Sequence, residues 1–291
     1  MRFLVTGGVG FIGTNLIKRL LKDGHEIVSL DNYSTGLKKN EQDGVLYHNV
    51  DISDYKNFDQ FIEVIDLVFH LAALPRIQPS FKNPTTTFKT NVQGTINILD
   101  WCKEKKIPLV YAGSSSTHGG VYKNPYTFTK WQGEELCKLY SELFFLRVSI
   151  CRFYNVYGPH QLIEGEYCTV IGIFERQKNN DEYLTITGDG EQRRDFTHVY
   201  DIVDGLIKCA LDLITADNSK ANGEIFELGR GINYSINDVA NMFGGEKKYI
   251  SQKPGEVRDT LCVDLKAKEI LKWNPKENLE DYINKILDNV E

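Results

Sequence analysis

The chain has 291 residues, 41% of them hydrophobic and 25% charged, and a net charge of −6. That length allows one large domain or two closely joined ones, and the acidic balance argues against nucleic acid as a partner. With no uncharged apolar stretch of about 18 residues, no membrane span is expected.

The opening "MRFLVTGG" is too short an apolar run for a signal peptide and reads as a first strand. A helix is expected to start near Phe11. "HEIVSLD" and "GVLYHNVD" predict a second and a third strand, and "DLVFHLAAL" a fourth. A helix over about 85–104 precedes the fifth strand, "PLVYAGSSS". A second long helix, about 126–143, opens at Asn124-Pro125, and "FLRVSICRF" follows it. The strand runs are almost continuously apolar, as strands covered by helices on both faces should be. The alternation predicts an α/β fold with a doubly wound parallel sheet.

After Gly158 the texture changes to short strands, turns and small helices, such as "YLTITGDG", "YSINDVANMF" and "KPGEVRDT". "DFTHVYDIVDGLIKCALDL" reads as a return helix and "EIFELG" as a late strand. We therefore expect a dinucleotide-binding domain over 1–160 plus 193–230. A smaller mixed α/β substrate lobe is expected over 161–192 plus 231–291. The six cysteines form no Cys-x-x-Cys pair, which argues against zinc or dithiol chemistry. Scattered cysteines suggest free thiols in a reducing cytosol.

"TGGVGFIG" sets Gly7, Gly10 and Gly13 between the first strand and the first helix. Small residues let the backbone turn sharply beside a pyrophosphate, and the helix N-terminus offers it free N–H groups. Asp31, ending the second strand, can accept both ribose hydroxyls and would repel a 2′-phosphate, which favours NAD. Lys38 and Lys39 nearby keep NADP open. Asp51 and Ile52 end the third strand, where Asp51 can hold the adenine amino group. Ala72 and Ala73 are small enough for the cofactor to pass over, whereas His70 reads as a core residue at a strand end.

Tyr126 and Lys130, four apart on a predicted helix, share one face. The pattern gains weight because Ser114, Ser115 and Ser116 end the fifth strand, beside the expected nicotinamide. A free phenol has a pKa of about 10, and bringing it near 7 takes roughly 4 kcal/mol of preference for phenolate. A neighbouring ammonium and a positive nicotinamide ring can supply that in a partly dry cleft. Ser114 would bond the substrate hydroxyl and share its proton.

With "LDNYSTG", "HLAAL", "NVQGT", "SSSTHG", "PYTFTK", "RFYNVYG" and "GDGEQRRDF" added, nearly the whole chain resembles the extended short-chain dehydrogenase/reductases. Within them it resembles the NAD-dependent nucleotide-sugar 4-epimerases. The resemblance implies a Rossmann-type fold, a homodimer through the two long helices, and a cytoplasmic enzyme working on a nucleotide-diphosphate sugar. It implies cofactor contacts from Phe11, Ile12, Asn32, Leu71 and Phe153 as well. Tyr126 would be base and acid, Lys130 would tune it and bind ribose, and Ser114 would relay the proton. Ser115, Ser116 and Arg76 would lie by the sugar. Asn155, Arg194, Lys253 and Arg258 would lie by the diphosphate. Thr260 would form the back wall of the sugar pocket, where a small residue admits an N-acetyl group. Thr187 stands where relatives often stack an aromatic on the base, which leaves the base open: UDP is the first choice, beside GDP and dTDP. His118 stands where relatives carry Tyr, and the loop from Gly119 to Tyr126 is short. The serines argue against the 4,6-dehydratases, which need an Asp–Glu pair here, and against the decarboxylases, which carry Glu at position 116. A 4-keto-sugar reductase on the same scaffold would also fit the resemblance. A non-catalytic NAD-binding scaffold fits it less well, since such a protein has no physical reason to keep the Ser–Tyr–Lys set.

Overall fold

The structure is a computed structural model that describes residues 1–54, 58–60, 64–216 and 218–288. Every predicted site residue lies within that span, while the last three residues of the expected second lobe lie outside it. Seven strands form one sheet: β1 (Arg2–Thr6), β2 (Glu26–Asp31), β3 (Val45–Asn49), β4 (Leu67–His70), β5 (Leu109–Ser114), β6 (Val148–Phe153) and β7 (Ile225–Leu228). Their order is β7-β6-β5-β4-β1-β2-β3, and every pairing is parallel. The order reverses between β1 and β4. That is a topological switch point, where a crevice opens beyond the strand ends.

Alternate residues of the strands feed opposite cores, except at the edge strand β3, where Leu46 is exposed. Phe3 and Val5 pack with Leu16, Ile17 and Leu20 of α1 (Phe11–Lys22) and with Ile202, Leu206 and Leu213 of α4 (Val199–Thr215). Leu4, Val28 and Val68 pack on the other face with Ile98 and Trp101 of α2 (Gly94–Lys105) and with Cys137 and Tyr140 of α3 (Pro125–Phe144). This double coverage is why the strands read as continuous apolar runs. Each of these fully buried aliphatic side chains contributes about 1.5–3 kcal/mol. A third apolar cluster gathers Tyr157, Phe174, Ile186, Phe196, Val239, Phe243 and Ile283.

Local chemistry fixes the element ends. Asn124 caps α3 by accepting the Thr127 N–H at 2.7 Å, and Pro125 occupies the first helical position. α2 is preceded by Pro84–Phe88 and by a π-helical turn at Lys89–Gln93. Asn91 in that turn accepts the Leu74 N–H at 2.8 Å and donates to the Leu74 carbonyl at 3.2 Å and to Thr129 Oγ1 at 3.0 Å. A widened turn thereby ties the segment after β4 to α3. His70 is 1% exposed, with Nδ1 2.8 Å from Thr6 Oγ1 and Nε2 3.0 Å from Thr95 Oγ1. Burial lowers its pKa to about 3, so it is a neutral core histidine, as the sequence suggests. All six cysteines are free, and no helix among the described residues is long and apolar enough to cross a membrane.

Candidate functional site

A cavity of about 620 Å³ runs along the carboxyl ends of the central strands and into the second lobe. At one end lies the glycine turn. Gly7 has φ +74°, and a Cβ there would sit 2.9 Å from the Ala72 backbone; a Cβ on Gly13 would sit 2.1 Å from the Gly7 carbonyl oxygen. The turn packs too closely on Ala72 and on itself to carry side chains at Gly7 and Gly13, so it meets the cavity as bare backbone. Gly10 caps α1 without any side-chain hydrogen bond, so the first N–H groups of the helix, at Phe11, Ile12 and Gly13 on the cavity wall, have no cap. That combination suits a pyrophosphate.

Asp31 is 8% exposed. Its carboxylate accepts the Val9 N–H at 3.1 Å and the Tyr33 N–H at 2.8 Å. Burial raises its pKa and those two bonds partly offset the rise. Asp51 accepts from Ser53 N, Ser53 Oγ and Asn32 Nδ2, and although burial opposes it, these bonds hold its pKa below the ordinary carboxylate value. Asn32, Asp51 and Ile52 line the cavity, as do Leu71, Ala72, Ala73 and Phe153.

Further along stand the hydroxyls. Ser114, the last residue of β5, has its Oγ 2.9 Å from Ser116 Oγ and 3.4 Å from the Tyr126 hydroxyl. Tyr126 is the second residue of α3, and its N–H donates to Ser80 Oγ at 3.1 Å. Burial raises the phenol's pKa; the Ser114 bond and then the Arg76 charge pull it back. Lys130 is 4% exposed, and its Nζ sits 4.4 Å above the centre of the Tyr111 ring. Desolvation lowers that ammonium to about 8, against the attraction of Glu134. Arg76 donates from Nε to the Tyr167 carbonyl at 2.9 Å, and burial lowers its pKa.

The rest of the wall is drawn from 155–196 and 236–260, across the bounds expected for the second lobe. Asn155 Nδ2 donates to the Asp195 carbonyl at 3.1 Å and to Thr260 Oγ1 at 3.3 Å. Thr187, Arg194 and Lys253 line the cavity, as do Ser115 and Ser116. Arg258 differs from the expectation. It is absent from the wall, and its guanidinium grips Asp189 through two bonds of 2.7 and 2.9 Å. The neighbouring Glu256 and Val257 face the cavity in its place. Sequence reasoning also missed the wall from Gly165 to Val170, which reaches the cavity through the Arg76–Tyr167 bond. It missed Glu134, whose spacing of four from Lys130 on one helix face was a usable signal.

A doubly wound parallel sheet, a bare glycine cradle at its switch point and one cavity shared with a second lobe define an extended short-chain dehydrogenase/reductase. Residues 3–229 match the model of the NAD dependent epimerase/dehydratase family, and the chain belongs to that family. NAD is its cofactor, and the cradle and Asp31 fit it. A UDP-glucuronate 4-epimerase of Thermodesulfobacterium geofontis is 30% identical over 97% of this chain and 94% of its own length. A UDP-glucuronic acid decarboxylase 1 of Xenopus tropicalis is 29% identical over 98% of this chain and 71% of its own. The crystal structure of a UDP-glucose 4-epimerase from Thermotoga maritima, with UDP-glucose, superposes with a TM-score of 0.89 at 26% identity, covering all of both chains.

Proposed function

We propose that the protein is a nucleotide-sugar 4-epimerase, with a UDP-hexose or UDP-N-acetylhexosamine as substrate. One observation carries the reading. The Tyr126 hydroxyl meets Ser114 Oγ on the same cavity as the glycine cradle, and positions 114–116 offer hydroxyls and no carboxyl. Tyr126 takes the proton of the sugar's carbon-4 hydroxyl, with Ser114 bonding that oxygen and sharing the proton. The same phenol returns a proton once the 4-keto sugar has turned over. NAD, when bound, would supply the acceptor for the carbon-4 hydride, the source from which that hydride returns to the other face, and a positive ring. Gly7, Gly10 and the N–H groups that open α1 would hold the pyrophosphate, Asp31 the adenosine ribose, and Lys130 the ribose beside Tyr126. Arg76 and Ser114 already favour the phenolate; burial opposes it. Asn155, Arg194 and Lys253 would face the diphosphate. We assign 161–192 plus 231–291 to sugar-nucleotide binding and 1–160 plus 193–230 to NAD.

The relatives include a decarboxylase, and the serines weigh against that chemistry: they cannot act as a carboxylic acid at neutral pH. The test is a panel of nucleotide sugars incubated with the purified protein and separated by chromatography. Interconversion of carbon-4 epimers, with no lasting change in absorbance at 340 nm, supports the reading. Loss of water or of carbon dioxide from the sugar overturns it.

Thr260 sets the second expectation. Its small side chain sits against Asn155, and it should admit an N-acetyl group. Thr260→Tyr should lower UDP-N-acetylglucosamine turnover by at least about 100-fold while UDP-glucose turnover stays within about threefold. Equal losses on both sugars would contradict this.

A further inference from the structure

A chain of charged side chains runs beneath the catalytic serine, and the chemistry above leaves most of it unused. Glu134 on α3 is fully buried. Its Oε1 accepts the Ser114 N–H at 3.2 Å, and its Oε2 accepts Arg152 Nε at 3.0 Å and Nη2 at 2.6 Å. Arg152, on β6, donates from Nη1 to Glu227 Oε1 at 2.9 Å, on β7. The same Glu227 oxygen lies 2.9 Å from His118 Nε2. His118 belongs to the turn Ser115–Gly119 that begins directly after Ser114, and its ring stacks on Tyr154. Thr117 Oγ1 closes the turn by donating to the Ser114 carbonyl at 2.9 Å.

The path is therefore a closed loop. It leaves the end of β5 at the Ser114 N–H, crosses α3, β6 and β7, and returns at His118 in the turn that follows. Arg152 is shared between two carboxylates: Lys130 attracts Glu134 at one end, and a protonated His118 meets Glu227 at the other. An unbalanced buried carboxylate is costly, so the imidazolium has a physical reason to stand at this place.

We infer that Glu227 and His118 are positioning residues for Ser114. Together with Arg152 and Glu134 they hold both ends of its turn to one rigid ionic rail, which keeps the serine hydroxyl against Tyr126. The inference rests on the epimerase reading of those two hydroxyls. His118 is half-exposed, so this end of the rail also feels the solvent. The charged groups facing it are Glu227 from β7, Arg152 from β6 and Glu134 from α3. The Glu227 bond raises the imidazole pKa, while desolvation and Arg152 pull against it. Burial would raise Glu227, but the His118 and Arg152 bonds outweigh it and hold that acid low. With the folded-state pKa raised, the charged tie is complete below the ordinary histidine value of 6.5. It weakens as pH climbs through the raised one.

His118→Gln keeps a hydrogen-bond donor and removes the charge. At about pH 6 it should lower kcat about tenfold, leaving KM for the nucleotide sugar and the affinity for NAD within about twofold. The gap from the wild type should narrow as pH rises to about 9. Amide exchange at Ser114–Thr117 should quicken by at least about tenfold. In nitrogen-detected titrations, the wild-type His118 should titrate above 6.5 and fall back towards that value in Glu227→Gln. An unchanged kcat across the range, a loss of NAD affinity equal to the loss of kcat, unchanged exchange, or a titration at or below 6.5 would each overturn the inference. Should the wild type turn over no nucleotide sugar, the epimerase reading fails, while exchange and titration still judge the clamp.

Discussion

Replacing Tyr126 by Phe should lower turnover of the nucleotide sugar by roughly 10³- to 10⁴-fold while NAD remains bound. The phenyl ring keeps the packing and loses only the hydroxyl, which bonds Ser114 at 3.4 Å. Folding stability should therefore change by less than about 1 kcal/mol. The loss falls on proton transfer. Without the phenol, Ser114 and Ser116 remain, but a serine hydroxyl has too high a pKa to act as a base at neutral pH. The measurement is kcat by product chromatography beside bound NAD by fluorescence. A variant within about tenfold of the wild type would remove Tyr126 from the chemistry.

The second large effect is expected from Gly13→Ala. The added carbon would sit 2.1 Å from the Gly7 carbonyl oxygen and 2.8 Å from Gly8 Cα. Both are backbone atoms of the cradle and cannot swing aside as a side-chain tip can. Gly7 is itself wedged against Ala72, so the turn has nowhere to retreat. Relief requires α1 to move away from the turn, which draws the free N–H groups off the pyrophosphate. NAD affinity should fall by at least about 100-fold, a loss of about 2.7 kcal/mol. Overpacking should cost about 1–3 kcal/mol more of stability, lowering Tm by roughly 5 °C in the absence of cofactor. Calorimetry with and without NAD separates the two parts. Unchanged NAD affinity would show that the cradle does not hold the dinucleotide.

Much of this protein is legible along the chain because the signals are local. Glycines at 7, 10 and 13 announce a backbone that must turn and stay bare. Asn124-Pro125 marks the start of α3 through its cap and its fixed φ. The apolar runs give parallel strands covered on both faces, and the expected helices at 85–104 and 126–143 match helical spans of Pro84–Lys105 and Pro125–Phe144 to within a residue. The π-helical turn inside the first of these was not legible, because it answers to Asn91 reaching Leu74 and Thr129 across the fold.

The charges behave differently. Arg258, a cation in a suggestive motif, is spent on Asp189, 69 positions away. Lys130 lies over Tyr111, and among the guanidinium and ammonium groups it is Arg76 whose charge bears on the Tyr126 phenol. His118 shows in the sequence only as an odd residue in a serine turn, yet it meets Glu227 at a separation of 109. The sequence by itself determined the architecture, the glycine turn and the placing of Tyr126 and Lys130 on one helix, since each rests on backbone conformation and on spacings of one helical turn or one strand. Only the tertiary structure decided which charges pair, which side chains reach the cavity and what lies beneath Ser114. A Coulomb partner is chosen by distance in space, and the fold, not the spacing along the chain, sets that distance.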